Sequence, residues 1–227
     1  GGFNWWVDPY DIYHPAAYKS NEPIWISKQL RLAKAYRIRQ LKPQGIVIGS
    51  STSQLGIDPD HPGWREKIYP RYNVALPGAN SYESFRYFQH SHALNPIKQV
   101  LIGLDFVSFN IFYQLSDDFN ESYMVVSQEG KPQDHNLTNW VVTLFSLTAI
   151  KASQKKFFYR GAGTHFSNGT EIVDKMGLQT RNNRSSMMWS ATTFVTRLLM
   201  PPPSHRFCLD DGVRENPSLK YLRQILE

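Results

Sequence analysis

The fold of this chain is decided by the stretch Gln44-Gly45-Ile46-Val47-Ile48-Gly49-Ser50-Ser51-Thr52-Ser53-Gln54-Leu55-Gly56. Its run from Ile46 to Ile48 is apolar and β-branched without polar alternation, which favours a strand buried on both faces, as in a parallel sheet. Gly49 permits a sharp turn, and the serines after it mark the start of a helix. A hydroxyl at such a turn lies beside backbone N–H groups that stabilise anions. This setting suits a serine nucleophile and also a phosphate-binding loop.

The composition predicts a folded domain with a mild positive charge. The chain has 227 residues, of which 41% are hydrophobic and 14% aromatic, and this is enough for a packed core. The net charge of +6 favours anionic surfaces or polymers. The sequence contains no combination of aromatic and basic residues typical of RNA binding, so we expect no nucleic-acid partner. Cys208 is the only cysteine, which excludes an internal disulfide.

Three short strands are expected to alternate with helices. The strands are predicted at 45–48, 72–76 and 99–104, and helices at 25–41 and from Asn80 to the Asn95-Pro96 stop. Such alternation is typical of βαβ units. The predicted fold class is therefore α/β, with three α/β/α layers and a parallel, flavodoxin-like sheet that is incomplete and carries a helical and loop insertion.

The first of these helices has a basic face. We interpret it as a solvated face, and the alternative is contact with an anionic membrane surface or a glycan. The second helix begins at Asn80, and Glu83 three residues later completes a pattern that resembles a capping box. The basic residues of the first helix are Lys28, Arg31, Lys34, Arg37 and Arg39.

The whole chain, 1–227, is predicted to form a single domain that continues beyond its last residue. A C-terminal helix starting at Asn216-Pro217 is interpreted as a crossover that should feed a further strand, and none follows before Glu227. The insertion includes a predicted helix from Thr138 to about Phe157 and a second one from Ser186 to Met200. The predicted parts are an irregular aromatic N-terminal arm (1–24), an α/β core (25–107), an insertion (108–215) and the crossover helix (216–227).

Polar residues that follow the three strands are the candidate site. Ligands bind outside the carboxyl ends of parallel strands, and a strand order of 2-1-3 would bring Ser51, Gly78 and Asp105 to one crevice. Ser51 is the candidate nucleophile, and its backbone N–H with that of Gly78 would hold an oxyanion. Asp105 or Asn110 would supply a further polar group. Ser50 is a rival nucleophile, because a slip of one residue changes which hydroxyl faces the crevice.

A general base, a metal site and a cofactor site are not apparent. None of the seven histidines has a partner at motif spacing; His165, in a glycine-rich region, is the remaining candidate for a base. One cysteine and the absence of a His-x-x-x-His pattern argue against a metal, and we expect no cofactor. A phosphate or nucleotide site at the same crevice stays a weaker alternative, because the chain has no Gly-x-Gly-x-x-Gly and no Gly-Lys-Ser/Thr ending.

The stretches Ile48-Gly49-Ser50-Ser51, Asn73-Val74-Ala75-Leu76-Pro77-Gly78-Ala79-Asn80 and Ile102-Gly103-Leu104-Asp105-Phe106 resemble the first three blocks of the SGNH (GDSL-type) hydrolase superfamily. Together with Asp8-Pro9-Tyr10 they look most like bacterial membrane-anchored SGNH-like proteins related to the alginate O-acetyltransferase-like group. The resemblance is specific over about 45–110. It places the family's serine at Ser51 and its oxyanion glycine at Gly78.

The chain departs from the family pattern at two of these positions. Ser50 stands where the family usually has aspartate, and Asp105 where it has asparagine. No Asp-x-x-His block that would supply the base follows the third strand, and it is expected beyond Glu227, so this chain alone should be inactive. An ionised Asp105 would repel a developing oxyanion.

The resemblance implies an acyl-ester hydrolase or O-acyltransferase, most simply for acetyl groups, that acts on a cell-envelope polysaccharide. It implies a location on the periplasmic side of a bacterial inner membrane, held by an anchor outside this chain, and a membrane-bound acyl-transfer partner. The alternative from the residues is a non-catalytic SGNH-like domain that binds glycan or scaffolds an envelope complex.

Overall fold

A computed structural model gives the fold of this chain. It describes residues 1–10, 12–14, 29–65, 67–105, 108, 114–133, 136–158, 165–167, 170–172 and 217–227. The candidate site residue Asn110, the single cysteine Cys208, the expected helix start at Asn216 and the predicted helix 186–200 lie outside these ranges.

The centre of the fold is a three-stranded parallel sheet. Its strands are β1 (Gly45–Ile48), β2 (Arg71–Asn73) and β3 (Gln99–Ile102), in the order β2-β1-β3. Gly45 pairs with Arg71 on one side and Gln99 on the other, so all three strands start in register. The α/β fold class predicted from the sequence is confirmed, and the strands have the 2-1-3 order on which the candidate site depends.

Helices and one hairpin surround the sheet. A short 3₁₀ helix spans Glu121–Tyr123, and strands β4 (His165–Ser167) and β5 (Thr170–Ile172) form an antiparallel hairpin that packs against α3. The helices are α1 (Gly2–Val7), α2 (Leu30–Leu41), α3 (Ser51–Gly56), α4 (Ser81–Leu94), α5 (Asn136–Phe145), α6 (Leu147–Phe158) and α7 (Pro217–Leu226).

The central strand β1 is covered on both faces, as its apolar run predicts, whereas Leu101 of β3 is 38% exposed. Ile46 and Ile48 point to one face and pack in the main hydrophobic core with buried residues of α2, α4 and the β2 segment. Successive side chains alternate in a strand, so Val47 points to the other face. There the loop before β2 packs Trp64 and Ile68 close to Gly45. All three side chains of β1 are therefore at most 1% exposed.

Several element predictions are wrong in detail. The strands predicted at 72–76 and 99–104 are shorter, Arg71–Asn73 and Gln99–Ile102. The N-terminal arm is not irregular throughout, since Gly2–Val7 is helical. The helix predicted from Thr138 to about Phe157 is two helices separated at Ser146. The N–H of Ser146 donates to Thr143 O, and its Oγ accepts from the N–H of Ala149. A serine cap therefore starts α6 where apolar spacing alone predicts a continuous helix.

The basic face of α2 is not solvated, which corrects the sequence interpretation. Arg31 and Lys34 are buried, and Arg39 donates to the carbonyl of Tyr123. The Lys34 ammonium donates to the carbonyl oxygens of Asn73 (2.9 Å) and Ala75 (2.6 Å) at the end of β2. The charges of this face bind partners inside the protein, because a buried charge needs compensation. Lys28 lies outside the described residues.

The C-terminal helix α7 is confirmed, with Pro217 in its first turn as predicted. Its Tyr221 ring stacks on Phe85 of α4 at 5.5 Å, and Ser218 donates to Ser108 O. The strand expected after it stays a prediction. None of the helices in the described part of the chain is long and apolar enough to cross a membrane.

Candidate functional site

The carboxyl ends of the three strands meet at one rim of the sheet. The N–H of Leu76 donates to Gly49 O at 3.0 Å, and the N–H of Gly103 donates to Ile48 O at 2.8 Å. These bonds continue the parallel pairing beyond the strands. The segments that carry Ser51, Gly78 and Asp105 therefore leave the sheet from the same rim, as the 2-1-3 order predicts.

A hydroxyl and carboxylate cluster occupies this rim. Ser50 is the N-cap of α3, and its Oγ donates a short hydrogen bond to Asp105. Thr52 Oγ1 lies 2.9 Å from both carboxylate oxygens of Asp105 and 2.9 Å from Ser50 Oγ. The half-buried carboxylate thus ties the turn after β1 to the segment after β3. Thr52 was not among the sequence candidates, although its place two residues after Ser50 in a Ser/Thr-rich turn was the available signal.

Close backbone packing fixes the turn that presents these hydroxyls. Gly49 has φ 148°, and a Cβ at this position would lie 2.8 Å from Gly103 O and would also overlap Ser53 Oγ. A Cβ at Gly103 would overlap Ser53 as well. The two glycines therefore allow α3 to start directly on the strand ends, with the buried Ser53 between them.

Ser51 begins α3 and is exposed, so its side chain is not sealed under aromatic residues. No described residue makes a side-chain hydrogen bond with it. The Ser50 hydroxyl, by contrast, donates to Asp105 and accepts from the Thr52 N–H at 3.4 Å. The rival serine thus has a capping role, which leaves Ser51 as the accessible hydroxyl of the pair.

Gly78 lies in a tight turn that exposes its backbone. The N–H of Ala79 donates to Leu76 O at 3.1 Å, Pro77 precedes Gly78, and Gly78 has φ 63°. Proline followed by glycine of positive φ is the signature of a type II turn. No described residue accepts from this N–H, so it is available for an oxyanion.

A buried ionic network anchors the Gly78 turn to α2 and α4. Arg31 Nε lies 2.7 Å from Glu83, and its Nη1 and Nη2 donate to Asp118 (2.8 Å) and to Pro77 O (3.1 Å). Burial raises the pKa of Glu83, and the Arg31 guanidinium offsets part of this rise. The predicted capping box is only half formed: the N–H of Glu83 donates to Asn80, but its carboxylate turns to Arg31.

Asn73 fixes α3 on the opposite face of the sheet. Its side-chain Nδ2 donates to Ser53 O (3.0 Å) and Ile57 O (2.9 Å), and its side-chain Oδ1 accepts from the N–H of Ala75. This side chain is fully buried. The helix that carries Ser51 is therefore held at both ends, by Ser50 with Asp105 and by Asn73.

The histidines whose side chains are described make contacts elsewhere. His14 pairs with Trp5 O, His61 accepts from the N–H of Gly63, and His92 accepts from the N–H of Ile97. His90 is buried between Ala35 O and the Val125 N–H, and burial lowers its pKa to about 3. None of these four contacts Ser51.

His165 lies in β4, whose partner strand β5 packs against α3. The backbone therefore brings the strand pair that carries His165 to the helix of Ser51. Among the described residues, no three His, Cys, Asp or Glu side chains form a group that could hold a metal ion. Asn110, the other candidate polar group, lies outside the described residues.

Comparisons with family models, with curated proteins and with solved structures found no match for this chain. The class that fold and site define is thus an α/β domain with a hydroxyl and carboxylate cluster at the carboxyl rim of a parallel sheet.

Proposed function

We propose that this chain is an SGNH-like acyl-ester hydrolase or O-acyltransferase domain, with Ser51 as the nucleophile. The observation that carries the proposal is that Ser51 and Gly78 follow neighbouring strands at the same rim of the sheet. The Ser51 side chain is exposed, and the Gly78 N–H has no acceptor among the described residues. The hydroxyl would attack an ester carbonyl, and the Gly78 and Ser51 N–H groups would stabilise the oxyanion.

The two departures from the family pattern support each other in this proposal. Ser50 stands at the family's aspartate position and Asp105 at its asparagine position, and the two side chains bond to one another. This contact therefore contains one carboxylate, as it does in the family pattern, but the carboxylate belongs to the residue after β3 and not to the residue after β1. Two hydroxyls disperse its charge, so Asp105 fixes the turn rather than donating to an oxyanion.

The substrate in this proposal is an acylated polysaccharide of the cell envelope, on the periplasmic side of a bacterial inner membrane. The base in this proposal is the histidine of an Asp-x-x-His block. None of the histidines that follow the third strand has this spacing, so His165, with Ala162 three residues before it, is a separate candidate. An anchor and a membrane-bound acyl-transfer partner belong to the same proposal.

Labelling of the protein with a fluorophosphonate ester tests the nucleophile. We expect one adduct, mapped to Ser51 by peptide mass spectrometry, and none in Ser51→Ala. Ser50→Ala is the matched control, which should keep the adduct at a stability cost of about 1 kcal/mol for its lost cap. An adduct that survives in Ser51→Ala but is lost in Ser50→Ala would move the nucleophile to Ser50.

The second candidate is a non-catalytic SGNH-like domain that binds glycan or scaffolds an envelope complex. It is favoured by the carboxylate at the rim, because a negative charge there opposes an oxyanion. Absence of any adduct, combined with polysaccharide binding that Asp105→Asn weakens in calorimetry, would support it. Bound nucleotide released from the purified protein would instead favour the phosphate-site alternative.

A further inference from the structure

The helices α1, α5 and α6 pack together and expose an unusual amount of apolar surface. We call it the aromatic surface and define it by Phe3, Trp6, Val142, Phe145, Phe157 and Phe158. Trp6, Phe145 and Phe158 are 62%, 66% and 73% exposed. Large contiguous apolar patches are rare on monomeric proteins and mark sites of interaction.

These side chains form a continuous surface rather than scattered contacts. The Phe157 ring lies 6.1 Å from Phe3, 5.9 Å from Trp6 and 5.2 Å from Phe158. The Phe145 ring lies against Gly1, the residue before α1. Leu137 and Val141 extend the surface along α5, because residues four apart share one face of a helix.

The charged side chains within the three helices have one sign. Residues 1–7 and 136–158 contain three lysines and no aspartate or glutamate. Lys156 is used internally, since its ammonium donates to Asp8 O at 2.8 Å. Lys151 and Lys155 are exposed and alternate at helical spacing with Leu147 and Phe158, so cationic and apolar side chains share the outer face of α6.

Lysines interspersed with exposed aromatic rings fit a lipid bilayer better than a protein partner. The centres of protein interfaces are depleted in lysine. At a bilayer surface, however, lysine stems lie along the apolar region while their ammonium groups reach the headgroups, and tryptophan and phenylalanine occupy the interface. We infer that the aromatic surface of α1, α5 and α6 docks this protein directly onto a membrane that contains anionic lipid.

Co-sedimentation of the intact chain with vesicles tests the inference. Vesicles of phosphatidylcholine alone are compared with vesicles that also contain phosphatidylglycerol. We expect binding to the anionic vesicles, a blue shift of tryptophan emission on binding, and a weaker partition at high salt, because the lipid charge is screened.

Two double variants and two matched controls locate the contact. Trp6→Ser with Phe158→Ser should reduce partition at least about tenfold, whereas Leu115→Ser with Leu226→Ser, at two exposed leucines outside the surface, should not. Lys151→Glu with Lys155→Glu should also reduce it at least about tenfold. Lys67→Glu with Lys98→Glu has the same net charge and two exposed positions outside the surface, and should bind nearly as wild type.

Three results would overturn the inference. These are absence of vesicle binding, equal binding of the two charge-reversed variants, and self-association in lipid-free solution that the Trp6 and Phe158 substitutions abolish. Circular dichroism of each variant shows that its fold is kept, which is expected because all the substituted side chains are exposed.

Discussion

Gly49 shows how one residue sets the geometry of the candidate site. Alanine at this position combines a positive φ with a Cβ 2.8 Å from Gly103 O. Strain and overpacking should together lower the free energy of unfolding by about 3 kcal/mol, measured by urea denaturation. Gly56→Ala is the matched control: nothing lies within 4 Å of its Cβ, and a helical alanine should stabilise by up to about 1 kcal/mol. Equal effects of the two changes would show that the turn tolerates a side chain.

At this scale the sequence predicts the turn but not what its hydroxyls contact. Gly49 and the serines after an apolar run are local signals. The bond between Ser50 and Asp105 joins residues 55 apart, and no local pattern reports it. The same holds for Thr52, whose partner is also Asp105. Side chains that complete a site across strands become predictable only when the strand order is known.

The junction of α2 and α4 illustrates the scale of elements. Glu83 is fully buried against Arg31, so Glu83→Gln leaves the guanidinium with one carboxylate fewer. We expect the free energy of unfolding to fall by about 3 kcal/mol, and the Gly78 turn to loosen, because Arg31 also holds Pro77 O. Denaturant unfolding measures the first effect, and hydrogen exchange at Ala79 the second.

Glu129→Gln is the control for this substitution, because Glu129 is exposed and bonds only locally to Ser127. It should unfold as the wild type does. A loss in Glu83→Gln no larger than in this control would mean that the carboxyl is already protonated in the folded protein, in keeping with the direction in which burial moves its pKa.

Helix periodicity predicts the elements better than their environment. It indicates α2 and α4, but the four basic residues on α2 suggest a solvated face, and Arg31 and Lys34 are instead buried. Their partners, Glu83, Asp118 and the carbonyls of the β2 segment, come from distant parts of the chain. The break between α5 and α6 has a similar cause, since Asn4 satisfies the carbonyl of Leu144 from the N-terminal helix.

For the molecule as a whole, the sequence predicts the sheet because its signals are local and repeated. Apolar runs without alternation indicate buried parallel strands, and the intervening helices limit the strand order. The aromatic surface is not predictable in the same way. Apolar spacing in 137–158 is typical of a core-facing helix, and only the packing of α1 against α5 and α6 shows which side is left exposed.

His90 links three parts of the molecule and gives its stability a pH dependence. Its Nε2 faces Ala35 O of α2 at 3.0 Å, and its Nδ1 accepts from the Val125 N–H at 3.1 Å, so it is neutral with the proton on Nε2. Burial lowers its pKa from 6.5 to about 3. Between these values the unfolded chain binds a proton that the folded protein does not, so stability falls as the pH falls.

The contribution of His90 can be isolated by comparing acid sensitivity. For this one group, the loss in free energy of unfolding between pH 7 and pH 4 is about 3 kcal/mol. His90→Gln should be less stable at pH 7 but should lack this part of the acid loss, whereas His92→Gln, exposed on the same helix, should keep it. Urea denaturation of the three proteins at both pH values measures the difference. If His90→Gln loses as much stability in acid as the wild type, burial does not keep the imidazole neutral. The contacts of His90 with α2 and with the Val125 segment would then break before the imidazole is protonated.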